Sequence, residues 1–134
     1  MEQPPTRIYA LGPEGTFSHK AAEVVRARFA PAAVPLVFTR TIPEVLARSE
    51  AEEGVLGIIP IENSVAGTVA PAQDGLASHR LTIVWEIALP VRFSLAADGP
   101  PERVEVYFAH PQAFDQCSNF LAAKLPLGQV SFTN

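Results

Sequence analysis

Three short segments carry the polar residues whose types and spacing could do chemistry. The first, residues 12–18 (GPEGTFS), places two glycines around a Pro-Glu pair and puts hydroxyl groups at the start of a predicted helix. Backbone N–H groups, the positive end of the helix and the hydroxyls of Thr16 and Ser18 would then converge, which suits an anion. The alternative is an ordinary capped turn between a strand and a helix. The segment lacks one glycine of G-x-G-x-x-G and the lysine of a P-loop, so a nucleotide-binding domain is not predicted.

The second segment, residues 60–64 (PIENS), follows the most apolar stretch of the chain. Ligands of open α/β sheets bind beyond the carboxyl ends of the strands, and this segment places a carboxylate, an amide and a hydroxyl there, with Thr68 shortly behind. The carboxylate of Glu62 would repel an anion, so we favour Asn63 and Ser64 as direct contacts. The alternative is a polar loop whose side chains bond to their own backbone.

The third segment, residues 110–117 (HPQAFDQC), begins a predicted helix. Gln112 and Gln116 are four residues apart and therefore share a helix face, and the amide of Gln112 could join an anion contact in the first turn. His110 is predicted to cap this helix. A single histidine without nearby histidine, cysteine or paired carboxylates predicts no metal site. Cys117 lies on the apolar stripe and is predicted to be a small core residue.

An alternation of strands and helices must position these segments. The first part of the chain follows the order strand–helix–strand–helix–strand, which predicts a mainly parallel sheet with helices on its faces. Residues 55–61 (VLGIIPI) are nearly all apolar and are predicted to form the central strand, covered on both faces. Thr16 or Ser18 is predicted to cap the first helix, Thr41 to cap the second, and Pro31 to end the first. The predicted strands are residues 8–11, 34–38, 55–61, 81–95, 104–108 and 130–132, and the predicted helices are residues 17–29, 41–51, 70–79 and 111–125.

Composition excludes several classes of function. Hydrophobic residues make up 48% of the 134 residues and charged residues 18%, which is typical of a globular protein. The net charge of −4 and the scattered basic residues argue against nucleic-acid binding. No apolar run is long enough to span a membrane, the N-terminus lacks the apolar core of a signal peptide, and a single cysteine fits a reducing cytoplasm. His19 and His79 are predicted to be solvated surface residues.

Taken together, the three segments resemble the signature of the prephenate dehydratase family, and residues 85–95 (WEIALPVRFSL) look like the family's strand leading into its second lobe. The resemblance implies an α/β fold of two lobes, similar to the type II periplasmic binding proteins, with the active site in the cleft between them. The family converts prephenate to phenylpyruvate in phenylalanine biosynthesis without a cofactor, and some relatives use arogenate. The implied substrate-binding residues are Gly15, Thr16, Phe17, Ser18, Asn63, Ser64, Thr68 and Gln112, with Glu62, His110 and Gln116 as cleft or supporting residues.

The sequence also departs from the family pattern. The family's Thr-Arg-Phe motif, whose threonine is its expected general acid, does not occur, so no catalytic residue is predicted. We expect the chain to be the N-terminal part of such an enzyme and to be inactive in isolation. Residues 1–79 would form the first lobe, 80–95 the crossover and 96–134 part of a second lobe, and the full-length enzyme would be a homodimer or tetramer. The alternative is a non-catalytic two-lobed module that binds an aromatic or carboxylate ligand.

Overall fold

The computed structural model describes residues 4–29, 34–126 and 128–133. The predicted helix stop at Pro31 lies outside these residues. The chain divides into two compact units, Met1–Pro90 and Val91–Asn134. The first unit contains β1 (Arg7–Leu11), α1 (Phe17–Phe29), β2 (Leu36–Thr39), α2 (Ile42–Ala51), β3 (Val55–Ile58), β4 (Glu62–Asn63), β5 (Gly67–Thr68) and α3 (Ala70–Ser78).

The main sheet of the first unit is parallel, as the element order predicted. Its strand order is β2-β1-β3, with Ile8 opposite both Leu36 and Leu56. The prediction that residues 55–61 form the central strand is wrong, because β1 takes the central place and β3 pairs only with β1 among the described strands. The burial of β1 follows from that position: Ile8, Tyr9 and Ala10 are all at most 1% exposed.

The two faces of this sheet are covered by different helices. Ile8 and Ala10 point to one face, where they pack with Ala22 and Val25 of α1. Side chains alternate along a strand, so Tyr9 points to the other face, where the Arg48 guanidinium of α2 lies 5.7 Å from the centre of its ring. A second core cluster joins α2 to α3 through Ile42, Leu46 and Ala72. The sheet is therefore sandwiched between α1 and α2.

The first two helices begin with threonine side-chain caps, as predicted from the sequence. The Thr16 Oγ1 atom accepts a hydrogen bond from the His19 N–H at 3.2 Å, so Thr16 rather than Ser18 caps α1. Thr41 caps α2 by accepting from the Glu44 N–H at 3.3 Å. The pKa of Glu44 is lowered because the Arg40 N–H donates to its carboxylate and the Arg48 guanidinium does the same.

A close approach between β3 and α2 makes Gly57 sensitive to any side chain. A Cβ atom at this position would collide with the Ser49 Oγ and lie 3.2 Å from the Val45 Cγ1. We expect Gly57→Ala to lower the free energy of unfolding by about 1–3 kcal/mol, measured by urea denaturation. Gly99→Ala is the matched control, because nothing lies within 4 Å of a Cβ there, and its effect should stay within about 0.5 kcal/mol. Equal losses in the two variants would contradict the close approach.

The strand predicted at residues 81–95 does not form; the structure assigns no helix or strand between residues 80 and 97. Its β-branched and aromatic residues favour extended backbone, but a strand also needs a hydrogen-bonded neighbour. Part of the segment packs on the first unit instead: Trp85 makes an edge contact with Phe29 at 5.2 Å, and Ile87 packs against the α1 cluster.

The second unit is a small β–α–β arrangement. A 3-10 helix at Pro101–Arg103 precedes β6 (Val106–Ala109), α4 (Pro111–Lys124) and β7 (Gln129–Phe132), and β6 pairs in parallel with β7. Leu121 and Leu125 on the predicted apolar stripe of α4 are buried, and Phe114 and Cys117 are half-buried. None of the helices within the described residues combines the length and hydropathy needed to cross a membrane.

Candidate functional site

The carboxyl edge of the first sheet gathers the candidate binding segments of the first unit. The strands are parallel, so the segments that follow β1, β2 and β3 leave from the same edge. The Gly12 N–H donates to the Thr39 carbonyl at 2.9 Å, which ties the 12–18 segment to the end of β2. From β1 the chain passes through α1 to β2, on one side of β1. From β2 it passes through α2 to β3, on the other side of β1, so the connections diverge between β1 and β3. Such a point is where open α/β sheets form a ligand crevice.

Within the 12–18 segment, the backbone and side-chain groups of Gly15 and Thr16 are already engaged in hydrogen bonds, both inside the segment and to the adjoining first turn of α1. Gly15 has a φ of +88°, a conformation that glycine adopts without strain. The Thr16 hydroxyl donates to the Pro13 carbonyl at 2.9 Å while it caps the helix. Its only proton is therefore used, and the hydroxyl cannot donate to an anion in this conformation. The Ser18 hydroxyl has no hydrogen-bond partner in the part of the chain that the structure describes.

His19 was predicted to be a solvated surface residue, and this prediction is wrong. Its side chain is 21% exposed, its Nδ1 accepts a hydrogen bond from the Gly15 N–H at 2.9 Å, and its ring meets Phe38 edge-on at 5.1 Å. The Gly15 N–H is thus engaged and not available to a ligand. The spacing of four residues between a turn glycine and a histidine in the first helical turn was the signal that the sequence offered.

His79 likewise departs from its prediction as a solvated residue. Its side chain is half-buried, and its Nδ1 lies 2.8 Å from the Gly75 carbonyl near the end of α3. A histidine in this place stabilises the last carbonyls of a helix. This contact belongs to the helix end and gives His79 no part in the candidate site.

The segment after β3 folds into a short antiparallel hairpin, in which Glu62 lies opposite Thr68 and Asn63 opposite Gly67. The Asn63 Oδ1 accepts hydrogen bonds from the Val65 N–H at 2.9 Å and the Ala66 N–H at 3.1 Å. The side-chain carbonyl is therefore used within the loop, while the amide NH₂ retains its two donors. Glu62, Ser64 and Thr68 are exposed, and none of their side chains forms a hydrogen bond to a described residue.

Arg40 is a candidate that the sequence analysis did not select. It directly follows β2 and is exposed, and its N–H is bonded to Glu44. Of the residues that follow the three strands, in segments 12–18, 40–41 and 59–68, only Arg40 carries a positive side chain. Its place at the carboxyl end of a parallel strand could have been inferred from the element order, because β2 ends at Thr39.

The second unit holds the remaining candidates at the start of α4. His110 caps this helix as predicted: its Nδ1 accepts from the Gln112 N–H at 3.3 Å. The Gln112 side chain is exposed and that of Gln116 is half-buried. Across the described ranges of both units, no three histidine, cysteine, aspartate or glutamate residues are grouped to hold a metal ion.

The comparison with known families covers nearly the whole chain. A family model described as prephenate dehydratase matches residues 8–133. The chain belongs to the prephenate dehydratase family. The resemblance inferred from the three segments is therefore confirmed.

Curated members of the prephenate dehydratase family are longer than this chain. A bifunctional chorismate mutase/prephenate dehydratase from Enterobacter agglomerans is 34% identical over 134 residues, covering 95% of this chain and 33% of that protein. A prephenate dehydratase from Amycolatopsis methanolica is 35% identical over 126 residues, covering 93% of this chain and 40% of that protein. The chain thus spans about a third to two fifths of their length.

A solved structure from the prephenate dehydratase family has a similar fold. The crystal structure of the prephenate dehydratase from Staphylococcus aureus subsp. aureus Mu50 matches with a TM-score of 0.75 and 24% identity, covering 95% of this chain and 47% of that chain. This likeness concerns the fold, and it agrees with the mixed α/β arrangement and the small parallel sheets described above.

Proposed function

We propose that this chain is the part of a prephenate dehydratase that binds the substrate's carboxylates. The observation that carries the proposal is the convergence of the 12–18 segment and the 60–64 loop at one carboxyl edge, in a member of this family. The segments that leave this edge carry neutral donors at Ser18, Asn63 and Ser64, and Arg40 adds a positive charge.

The side chains would have different roles in binding the carboxylates. Ser18, Ser64 and the NH₂ of Asn63 would donate to carboxylate oxygens, and Arg40 would balance their charge. Gly15, whose N–H donates to His19, and Thr16, whose hydroxyl donates to Pro13, would act by fixing the shape of the turn. We keep Phe17, Thr68 and Gln112 as proposed contacts, and Glu62, His110 and Gln116 as supporting residues.

The chemistry suits such a site. Prephenate loses its ring carboxylate as carbon dioxide and its ring hydroxyl as water, and aromatisation drives the reaction without a cofactor. The protein must hold two carboxylates, align the leaving groups and supply a proton to the departing hydroxyl. A general acid typically contributes about 10²–10⁴-fold. We assign no residue of this chain to that role.

We further propose the two-lobed architecture that resembles type II periplasmic binding proteins, with residues 1–79 as the first lobe, 80–95 as the crossover and 96–134 as part of the second. Family membership and the two compact units support this proposal. A cytoplasmic location, a homodimer or tetramer of the full-length enzyme and the use of prephenate rather than arogenate belong to the same proposal.

Measurements of prephenate turnover and of prephenate binding together test the proposed function. The whole polypeptide encoded by the gene should form phenylpyruvate from prephenate well above the acid-catalysed background, followed by its ultraviolet absorbance. The 134-residue chain should bind prephenate in calorimetry, with little or no turnover. Absence of turnover by the whole polypeptide would overturn the proposed activity. Binding of prephenate by the whole polypeptide without turnover would point to a non-catalytic binding module.

A further inference from the structure

A chain of polar contacts runs along the first turns of α1 to the backbone of the 12–18 segment. The Arg26 guanidinium lies 2.6 Å from one oxygen of Glu23, and the other oxygen of Glu23 lies 3.3 Å from the His19 Nε2. The His19 Nδ1 then accepts from the Gly15 N–H at 2.9 Å. Three side chains, spaced four and three residues apart, thus connect the helix surface to one peptide group of the turn.

The hydrogen bond from Gly15 selects the tautomer of the ring. A backbone N–H can only donate, so the Nδ1 that accepts from Gly15 carries no proton. The proton of the neutral imidazole is then on Nε2, which faces the Glu23 carboxylate. The edge contact with Phe38 restricts the ring from a third side. His19 is therefore held in one tautomer and one orientation by groups of α1 and β2.

The Gly15 peptide needs such support. Its φ of +88° turns the backbone directly before Thr16 and Ser18, and nothing lies within 4 Å of the place a Cβ would occupy. Packing around Gly15 thus does not fix the turn from that side. The bond to His19 is the contact that determines where the Gly15 N–H points.

We propose that His19, oriented by Glu23, is a positioning residue that fixes the Gly15 peptide so that the 12–18 segment keeps the shape needed to bind a substrate carboxylate. The proposal rests on the proposed function and deepens it by naming what holds the binding turn in shape. His19 does not touch the substrate. It acts through one backbone N–H, and its effect on binding follows from the geometry of the turn.

The decisive variants differ in one acceptor atom. His19→Asn keeps an oxygen near the position of Nδ1 and should preserve the bond to Gly15. His19→Leu keeps a similar volume but has no acceptor. We expect prephenate binding by this chain, measured by calorimetry, to weaken about 5- to 10-fold in His19→Leu and to change less than about 2-fold in His19→Asn. Glu23→Gln should give a smaller loss, and His79→Leu, which removes a histidine from the end of α3, should give none.

A second measurement does not depend on binding. The Gly15 amide should be protected from hydrogen exchange in the wild-type chain and in His19→Asn, and should exchange rapidly in His19→Leu, as followed by NMR. In the whole polypeptide, the KM for prephenate should rise in His19→Leu more than kcat falls.

The outcomes separate the two proposals. Rapid Gly15 exchange in the wild-type chain, or unchanged prephenate binding in a folded His19→Leu variant, would overturn the positioning role. If the exchange pattern is as expected but the wild-type chain and polypeptide neither bind nor convert prephenate, the proposed function fails while His19 still positions the turn. If His19→Leu does not fold, Glu23→Gln carries the test, and the same exchange and affinity in Glu23→Gln as in wild type would overturn the part assigned to Glu23.

Discussion

Tyr9→Ala is expected to lower the free energy of unfolding of the chain by about 3–5 kcal/mol. Tyr9 is the largest fully buried side chain of the described core, is 1% exposed and lies on the central strand β1. Removing its ring would leave a cavity between the sheet and α2 that neither the sheet backbone nor the helix can close. Since domains are stable by about 5–15 kcal/mol, this single change should remove a large part of the total.

Tyr9→Phe is the matched control, because it keeps the ring and removes only the hydroxyl. That hydroxyl donates to Glu52 and accepts from Arg7 at 3.0 Å. Both partner side chains are about 40% exposed, so water can replace the lost bonds, and the expected loss is about 0.5–1.5 kcal/mol. Urea denaturation of the two variants measures the difference. A loss in Tyr9→Ala no larger than that in Tyr9→Phe would contradict the buried central position of β1.

Asn63→Asp is expected to weaken prephenate binding by about 100-fold while the loop keeps its shape. The aspartate Oδ1 can accept the same hydrogen bonds from the Val65 and Ala66 N–H groups. The variant loses the NH₂ donors, however, and adds a negative charge beside an anionic ligand. Lost donation and like-charge repulsion act in the same direction, so this change should have the largest effect on binding.

Calorimetry with the 134-residue chain measures the affinity, and Asn63→Ala provides the comparison. Alanine removes the donors without adding charge, but it also removes the acceptor that holds the loop. We therefore expect Asn63→Ala to bind prephenate better than Asn63→Asp, although its loop is less ordered. Equal affinity in wild type and Asn63→Asp would exclude Asn63 from the substrate contacts.

Local signals made much of the first unit predictable. The alternation of elements predicted the parallel sheet, and the threonine caps at Thr16 and Thr41 were recognisable because a cap acts within four residues of sequence. The central place of β1 was not predictable in the same way. The run at residues 55–61 is more apolar than RIYAL, but strand order depends on which partners the connecting helices bring together.

The shared sheet edge of the candidate segments was predictable, but their hydrogen bonds were not. The segments after β1 and β3 do leave from one edge of the sheet, as parallel strands require. Which atoms of Thr16 and Asn63 remain able to bind a ligand depends on hydrogen bonds within each turn, and those bonds follow from backbone angles that the sequence does not specify. The contacts of His19 with Gly15 and Phe38, and the place of Arg40 at the sheet edge, were not recognised because they depend on the folded backbone.

The strand order also determines when the sheet can assemble during synthesis. β1 is made before its two neighbours in the sheet, but its second ladder needs β3, whose last residue is Ile58. One side of the most buried strand of the sheet therefore stays unpaired until β3 has also been made. An unpaired strand edge is a template for aggregation. A chain interrupted before Val55 would keep that edge open. The nascent chain is therefore most prone to misassembly just before the third strand of this sheet is made.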